Sequence, residues 1–418
     1  MKKDRIAIIG LGYVGLPLAV EFGKKYHCTG FDINDERISQ LKQSIDKTFE
    51  LNSEDIDDAE YLRFTSKIED IKKSNIYIIT VPTPIDKDNN PDITFLIKAS
   101  EMIGKILDKG NIVIYESTVY PGCTEEECVP ILEKTSKFVY NKDFFCGYSP
   151  ERINPGDKVH TLTKIVKVTS GSNKSTAKKV DDLYSSIISA GTHLVSSIKV
   201  AEASKIIENC QRDINIAFAN ELSILFNLLN IDTNEALDAA NTKWNFINFR
   251  PGLVGGHCIS IDPYYLTYKS KQMGYDSKII SAGRKLNNSM PNFICNKIID
   301  YLNKFNYSNP KILILGITFK ENCSDIRNSK VFEIHDILIK NKYHVDVFDP
   351  NVNKKDLHSS TINLIEYNDI KKNFYESIII AVSHNEFKSM NIEEFSKSEK
   401  TLIFDLKGMY NNKNYMRL

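Results

Sequence analysis

The stretch Arg5–Val20, RIAIIGLGYVGLPLAV, decides the fold. Its first five residues are a short apolar run closed by glycine, the pattern of a buried strand. Gly10, Gly12 and Gly15 then follow in G-x-G-x-x-G spacing, and Tyr13–Lys25 reads as a helix. In that setting the glycines let the backbone turn tightly and come close to a pyrophosphate. The helix behind them aims its open N–H groups and positive dipole end at the same place. A second strand, HCTGFD, ends on Asp32, about twenty residues beyond the glycines, where a carboxylate can accept from a ribose 2′-hydroxyl. It would repel a 2′-phosphate, so the cofactor expected is NAD, although Arg37 nearby pulls toward a phosphate.

Working outward, NIYIITVP (75–82) and GNIVIYES (110–117) are further strands, separated by the helical stretch Ile93–Leu107. FFCGYSPE and IVKVTSG read as the last strands of the sheet. Strands alternating with helices imply a doubly wound parallel sheet, and ligands of such sheets bind beyond the carboxyl ends of the strands. Thr83 in VPTP and Thr118 in ESTVYPG lie there, within reach of cofactor or water. Threonine and proline are equally common in plain turns.

The pattern changes after Val195. From Ser197 to Asn230 apolar residues recur at helical spacing without glycine or proline, which predicts a helix of about 50 Å. It is too long for one small domain, so it is expected to link domains and to offer a face to another subunit. Helical patches follow at Thr233–Asn241 and Ser277–Lys304. At Pro310 strand–helix alternation resumes: PKILILGITF, a helix over Arg327–Lys340, HVDVFDP ending on Asp349, SIIIAVSH and TLIFDLK. The fold class expected is α/β, with two Rossmann-like domains joined by a long central helix and a helical domain. The boundaries are 1–196, 197–305 and 306–418. The second sheet lacks G-x-G-x-x-G and carries Lys320 in ITFKEN, with Asp325 and Arg327 close by. It is therefore suited to a phosphate-bearing ligand other than a second NAD.

Composition narrows the function. The 418 residues carry 54 basic and 54 acidic side chains, so no basic field points to nucleic acid or an anionic membrane. The N-terminus imitates a signal peptide, but its glycines and proline argue for strand, turn and helix, which places the protein in the cytoplasm. Eight cysteines at scattered spacing, none in C-x-x-C, imply thiols outside any disulfide framework and no metal site. Cys258, in GGHCISID, is open to two readings: a small buried hydrophobe, or a nucleophile.

Taken together, GLGYVGLPLA, ESTVYPG, GYSPERINPGD, AEASKIIEN, FRPGLVGGHCISIDPYYL and LGITFKENCSDIRNS resemble the nucleotide-sugar dehydrogenase family, along the whole chain and in order. SPERINPG and the cysteine segment are most similar to its UDP-N-acetylhexosamine 6-dehydrogenase branch, which makes uronic acids for capsules and O-antigens. The resemblance implies an NAD-dependent four-electron oxidation of a sugar C6 alcohol to a carboxylate, through a thiohemiacetal and a thioester. It makes Cys258 the nucleophile, with Lys205 and Asn209 near the reacting oxygen. Asp262 works with Lys205 and a water that Thr118 holds, and Glu151 is the base for thioester hydrolysis. NAD is assigned to Gly10, Gly12, Val14, Gly15, Asp32, Arg37, Thr83, Thr118 and Arg327. The UDP-sugar is assigned to Glu151, Arg152, Lys205, Asn209, Gly255, Lys320 and Arg250, the last reaching into a partner subunit's site. A homodimer through the central helix is implied as well.

Elementary chemistry agrees. A thiol holds an acyl group through a second oxidation and then releases it, and its thiolate needs nearby positive charge. A carboxylate in an apolar pocket can serve as a base at neutral pH. On its own, a lysine on an amphipathic helix is ordinarily solvated surface, and an aspartate before proline is ordinarily a helix start. Two departures argue against UDP-glucose as substrate: Pro155 where that branch carries a second glutamate, and Ile261 where it carries a lysine. Competing readings are UDP-glucose, UDP-ManNAc or GDP-mannose as substrate, a two-electron hydroxyacid-type dehydrogenase, and a non-catalytic NAD-binding redox sensor.

Overall fold

The computed structural model of the chain describes residues 4–48, 50–154, 159–307, 309–357 and 361–418; Pro155 lies outside them. The chain packs as two compact units, Met1–Glu208 with Tyr264–Tyr275, and Asn209–Pro263 with Asp276–Leu418. The helical middle read from the sequence is thereby shared between both.

The first unit opens with β1 (Arg5–Ile9), α1 (Gly15–Gly23), β2 (His27–Phe31), α2 (Asp35–Leu41), α3 (Ser53–Asp57) and β3 (Leu62–Thr65). It continues with β4 (Ile76–Ile79), α4 (Thr94–Gly104), β5 (Ile112–Tyr115), α5 (Val129–Ser136), β6 (Phe145–Tyr148), β7 (Lys167–Gly171), α6 (Lys174–Ser185) and β8 (Thr192–Leu194). These strands form one sheet in the order β3-β2-β1-β4-β5-β6-β7-β8. β4 and β5 are buried at every position, which is why they read as unbroken apolar runs. Ile6 and Ile8 of β1 pack with Leu16, Phe22, Ile78 and Ile114 in the core.

The sheet departs from the expected all-parallel arrangement at one pair. β6 and β7 are antiparallel, with Tyr148 opposite Ser170, before β8 pairs in parallel with β7. IVKVTSG is also not the last strand. β8, like β3, has too few apolar residues to signal itself.

The helix α7 (Ile198–Leu229), 32 residues long as its periodicity predicts, begins in the first unit and continues into the second. α8 (Thr233–Asn241), α9 (Asp262–Gln272) and α10 (Lys278–Asn303) follow. The second sheet contains β9 (Lys311–Leu315), β10 (His344–Phe348), β11 (Asn363–Leu364), β12 (Ser377–Ile380) and β13 (Leu402–Asp405). It is parallel throughout, in the order β11-β10-β9-β12-β13. Along β9, Ile312 and Ile314 face one core while Leu313 and Leu315 face another, so both faces are covered. Between β9 and β10, α11 (Val331–Lys340) starts four residues later than Arg327. Among the described residues no helix is long and apolar enough to cross a membrane.

Candidate active site

The glycine turn fits a dinucleotide. Gly10 sits at φ +96°, and a Cβ on Gly15 would lie 1.8 Å from the Gly10 carbonyl oxygen. A Cβ on Gly12 would meet nothing within 4 Å, which is the open side a pyrophosphate needs. No side chain caps α1 and no acidic residue occupies its first turn, so its dipole end faces outward uncompensated. The Asp32 carboxylate is held in place by the Leu11 N–H at 2.8 Å and the Asn34 N–H at 2.9 Å, and it is only half-buried. Arg37 donates to the Leu11 carbonyl at 3.0 Å and pairs with Asp46 at 2.8 Å, so its guanidinium braces the turn. Val14 is half-buried at the start of α1.

Beyond β4 and β5, the Thr83 hydroxyl donates to the Thr118 carbonyl at 2.7 Å, which ties together the two loops predicted to flank the cofactor. Tyr265, which the sequence did not single out, donates to the Thr83 carbonyl at 2.7 Å. Glu151 is buried but not in an apolar pocket. Its Oε1 accepts from the backbone N–H groups of Arg152 (2.7 Å) and Ile153 (2.8 Å), and its Oε2 accepts from Lys167 Nζ at 2.6 Å. Lys167 also donates to Glu116 Oε2 at 2.6 Å, and Tyr184 donates a short hydrogen bond to Glu116 Oε1. Burial pushes the Glu116 carboxyl up to about 7, against the opposing pull of Lys167. Burial also works against the Lys167 charge, but Glu116 and Glu151 together overcome it and hold the ammonium protonated. Arg152 pairs with Glu208 at 2.8 Å and donates to the Val166 carbonyl.

Lys205 and Asn209 stand one turn apart on α7 and both are largely buried, at 8% and 7% exposure. That is not the solvated face expected of an isolated lysine on such a helix. Asn209 donates to the Asp262 carboxylate at 2.5 Å, and Asp262 is itself buried. Its backbone N–H donates to the Cys258 carbonyl at 2.8 Å, so the cysteine sits in the turn that starts α9. Of the eight cysteines, Cys258 is the exposed one; Cys323 is half-buried and the other six are buried. Burial pushes the Cys210 and Cys295 thiols up to about 12 and makes them poor nucleophiles at neutral pH.

The glycines before Cys258 serve close packing. A Cβ on Gly255 would lie 2.5 Å from the Asn328 carbonyl oxygen, and one on Gly256, at φ +84°, would strike the Phe319 ring. Arg250 pairs with Asp238 and donates to the Asn234 carbonyl at 3.1 Å, which anchors it on α8. In the second sheet Lys320 lies beside the Phe319 ring, and Arg327 pairs with Asp325 at 2.8 Å. His257 stands 3.6 Å from Asp325, and burial followed by Arg327 lowers its pKa. Among the described residues no group of three or more His, Cys, Asp or Glu could hold a metal ion.

The sequence reading missed Lys167, Glu116 and Tyr184. A lysine inside an otherwise apolar strand was the available signal, because a charge buried in a sheet requires partners.

Three family models of the UDP-glucose/GDP-mannose dehydrogenase family match: the NAD binding domain at residues 4–188, the central domain at 199–289 and the UDP binding domain at 313–412. The chain is 55% identical over 408 residues, 96% of each chain, to the UDP-N-acetyl-D-glucosamine 6-dehydrogenase of Salmonella typhi. It is 53% identical over 424 residues, the full length of both, to the Pseudomonas aeruginosa protein of the same name. Among solved structures it is similar to the UDP-D-ManNAc dehydrogenase from Pyrococcus horikoshii. The TM-score is 0.88 at 32% identity, over 99% of this chain and 98% of that one.

Proposed function

Because the chain belongs to the UDP-glucose/GDP-mannose dehydrogenase family, we propose that it oxidises C6 of UDP-N-acetylglucosamine to the carboxylate, with two NAD+ as acceptors. The observation that carries this reading is its 53–55% identity, over essentially the whole chain, to two proteins named for that activity. NAD, held by the glycine turn and Asp32, supplies the acceptor for both hydrides. The Cys258 thiolate adds to the C6 aldehyde to form a thiohemiacetal, whose oxidation leaves a thioester. Water then attacks the thioester carbon, the C–S bond breaks with its electron pair returning to sulfur, and Glu151 takes the water proton.

Several observations support the roles. Cys258 is exposed where six of the other thiols are buried and Cys323 is half-buried, in keeping with a nucleophile. The buried Asn209–Asp262 hydrogen bond fixes the start of α9 directly after the cysteine turn. Lys205, one turn before Asn209, is suited to steady a developing alkoxide. Lys320 and Arg327 are assigned to the UDP-sugar and NAD respectively by the resemblance, and Arg250 to a partner subunit's site. A homodimer through α7 is supported by the exposed apolar side chains Ile207, Phe218, Leu225 and Leu228 on that helix. The reading places the enzyme in the cytoplasm, supplying a uronic acid for capsule or O-antigen assembly.

The test is a panel of UDP-GlcNAc, UDP-GalNAc, UDP-ManNAc, UDP-glucose and GDP-mannose, with NADH counted per sugar. UDP-GlcNAc should be preferred and should yield two NADH. One NADH per sugar would indicate a two-electron dehydrogenase, and no reduction with any of the five would revive the redox-sensor reading. Cys258→Ser should abolish uronate formation and leave NAD binding intact; a fully active Cys258→Ala enzyme would overturn the mechanism.

A further inference from the structure

We propose that Lys167 and Glu116 form, with Glu151, a buried proton-sharing cluster in which Lys167 is the positioning residue for the hydrolytic half of the reaction. The inference rests on the reading of Glu151 as the hydrolytic base and deepens it.

The cluster is a product of topology. Glu116 directly follows β5 and Glu151 lies three residues beyond β6, both at the carboxyl edge of the sheet. Lys167 is the first residue of β7. In a parallel strand the first residue would lie at the opposite edge, away from any site at the carboxyl ends. Because β7 runs antiparallel to β6, its first residue comes to the carboxyl edge and meets both carboxylates.

The geometry leaves Glu151 little freedom. One oxygen is fixed by two backbone N–H groups and the other by the Lys167 ammonium, whose side chain is 2% exposed. Lys167 is fixed in turn by Glu116, and Glu116 by Tyr184 of α6. The groups facing the cluster are therefore Glu116 just after β5, Glu151 from the segment after β6, Lys167 from β7 and Tyr184 from α6. Arg152 is drawn off to Glu208 and the Val166 carbonyl.

The charges explain what the cluster can do. Two carboxylates and one ammonium leave one buried negative charge in excess, so the cluster takes up one proton readily. Burial pushes Glu116 up to about 7 and pushes the Tyr184 hydroxyl well above its usual range, so Tyr184 stays a donor. In thioester hydrolysis the water oxygen forms the new C–O bond and the water proton goes to Glu151. The C–S bond breaks with its pair going to the Cys258 sulfur. Lys167 donates to both carboxylates and so stabilises the cluster whichever of them is ionised. Without Glu116, the ammonium would donate to Glu151 alone and hold that oxygen back from the water.

The test compares three variants with the parent enzyme, using UDP-GlcNAc and NAD+. The readouts are the covalent adduct on Cys258 by intact-protein mass and the pH profile of single-turnover thioester hydrolysis. Glu151→Gln tests the base reading itself and should accumulate the adduct after a burst of two NADH per subunit. Glu116→Gln keeps one neutral Lys167–Glu151 pair and should fold. It should slow hydrolysis about 10-fold and move the acidic limb of the profile to lower pH. The double variant Lys167→Met/Glu116→Gln conserves the net charge of the cluster and should slow hydrolysis about 100-fold with accumulation of adduct. Parent-like hydrolysis with an unmoved acidic limb in the last two, while Glu151→Gln accumulates adduct, overturns the cluster but leaves the base reading standing. No adduct in Glu151→Gln overturns both.

Discussion

The two sheets of the molecule use the same turn in two ways. In each, the first strand is followed directly by a glycine with positive φ, Gly10 at +96° and Gly316 at +89°. In each, that glycine N–H donates to the last residue of the second strand, Phe31 or Phe348, at 2.8 Å. The aspartate that follows then accepts from the residue after the glycine, Asp32 from Leu11 at 2.8 Å and Asp349 from Ile317 at 2.7 Å. Each aspartate also accepts from the N–H of the asparagine two residues on, Asn34 or Asn351. There the likeness stops. Asp32 is half-buried and its turn continues through Gly12 and Gly15. Asp349 is buried, accepts also from the Thr318 N–H, and is covered by His384 at 3.1 Å. One carboxylate stays partly open and the other is enclosed by the fold, so the shared turn presents an accessible acceptor in the first sheet and a covered one in the second.

The largest effect should come from the turns. Gly15→Ala forces a Cβ onto the Gly10 carbonyl and should weaken NAD binding at least about 100-fold by isothermal titration. Gly316→Ala drives a Cβ to 2.5 Å from Val382 Cβ at positive φ. It should speed hydrogen exchange of β9 and β12 amides while NAD affinity stays within about 2-fold of the parent. Weakened NAD binding in Gly316→Ala would break the comparison.

Asp349 comes next. Burial opposes its charge, yet His384 and the backbone donors overcome this and hold its pKa below the usual carboxylate range. Its folded pKa is depressed, so the stability it lends is present above the unfolded value of about 4 and is lost as pH falls toward the folded one. Asp349→Asn should cost about 2 kcal/mol at neutral pH, measured by denaturant unfolding, and should flatten that acid limb. An unchanged unfolding midpoint would count against it. The smallest effect is Asp32→Asn. It keeps an oxygen for the Leu11 N–H but loses the charge, so NAD affinity should fall about 10-fold with the unfolding midpoint unmoved.

Much of this was legible because burial on both faces writes itself as apolar runs. β1, β4, β5, β9 and β12 are such runs, and the periodicity of α7 carried its whole length. β3, β8 and β11 were not legible. β3 is only partly buried, β8 is mostly exposed at an edge, and β11 has two residues, so hydrophobic pattern does not mark them. Asp32 could be found from its spacing to the glycines. The partners of Glu151 could not, because Glu116 and Lys167 are 35 and 16 residues from it and are joined only through strand order.

The sequence by itself determined the two sheets, the glycine turn, the long helix and the cysteine segment, because each is written in local spacing and in which side chains avoid water. The tertiary structure alone decided that β7 reverses against β6. Strand direction follows from connection and packing and leaves no trace in local composition. That reversal brings Lys167 to the edge where Glu116 and Glu151 end, and turns a lysine that read as one residue of a strand into the centre of a buried charge cluster.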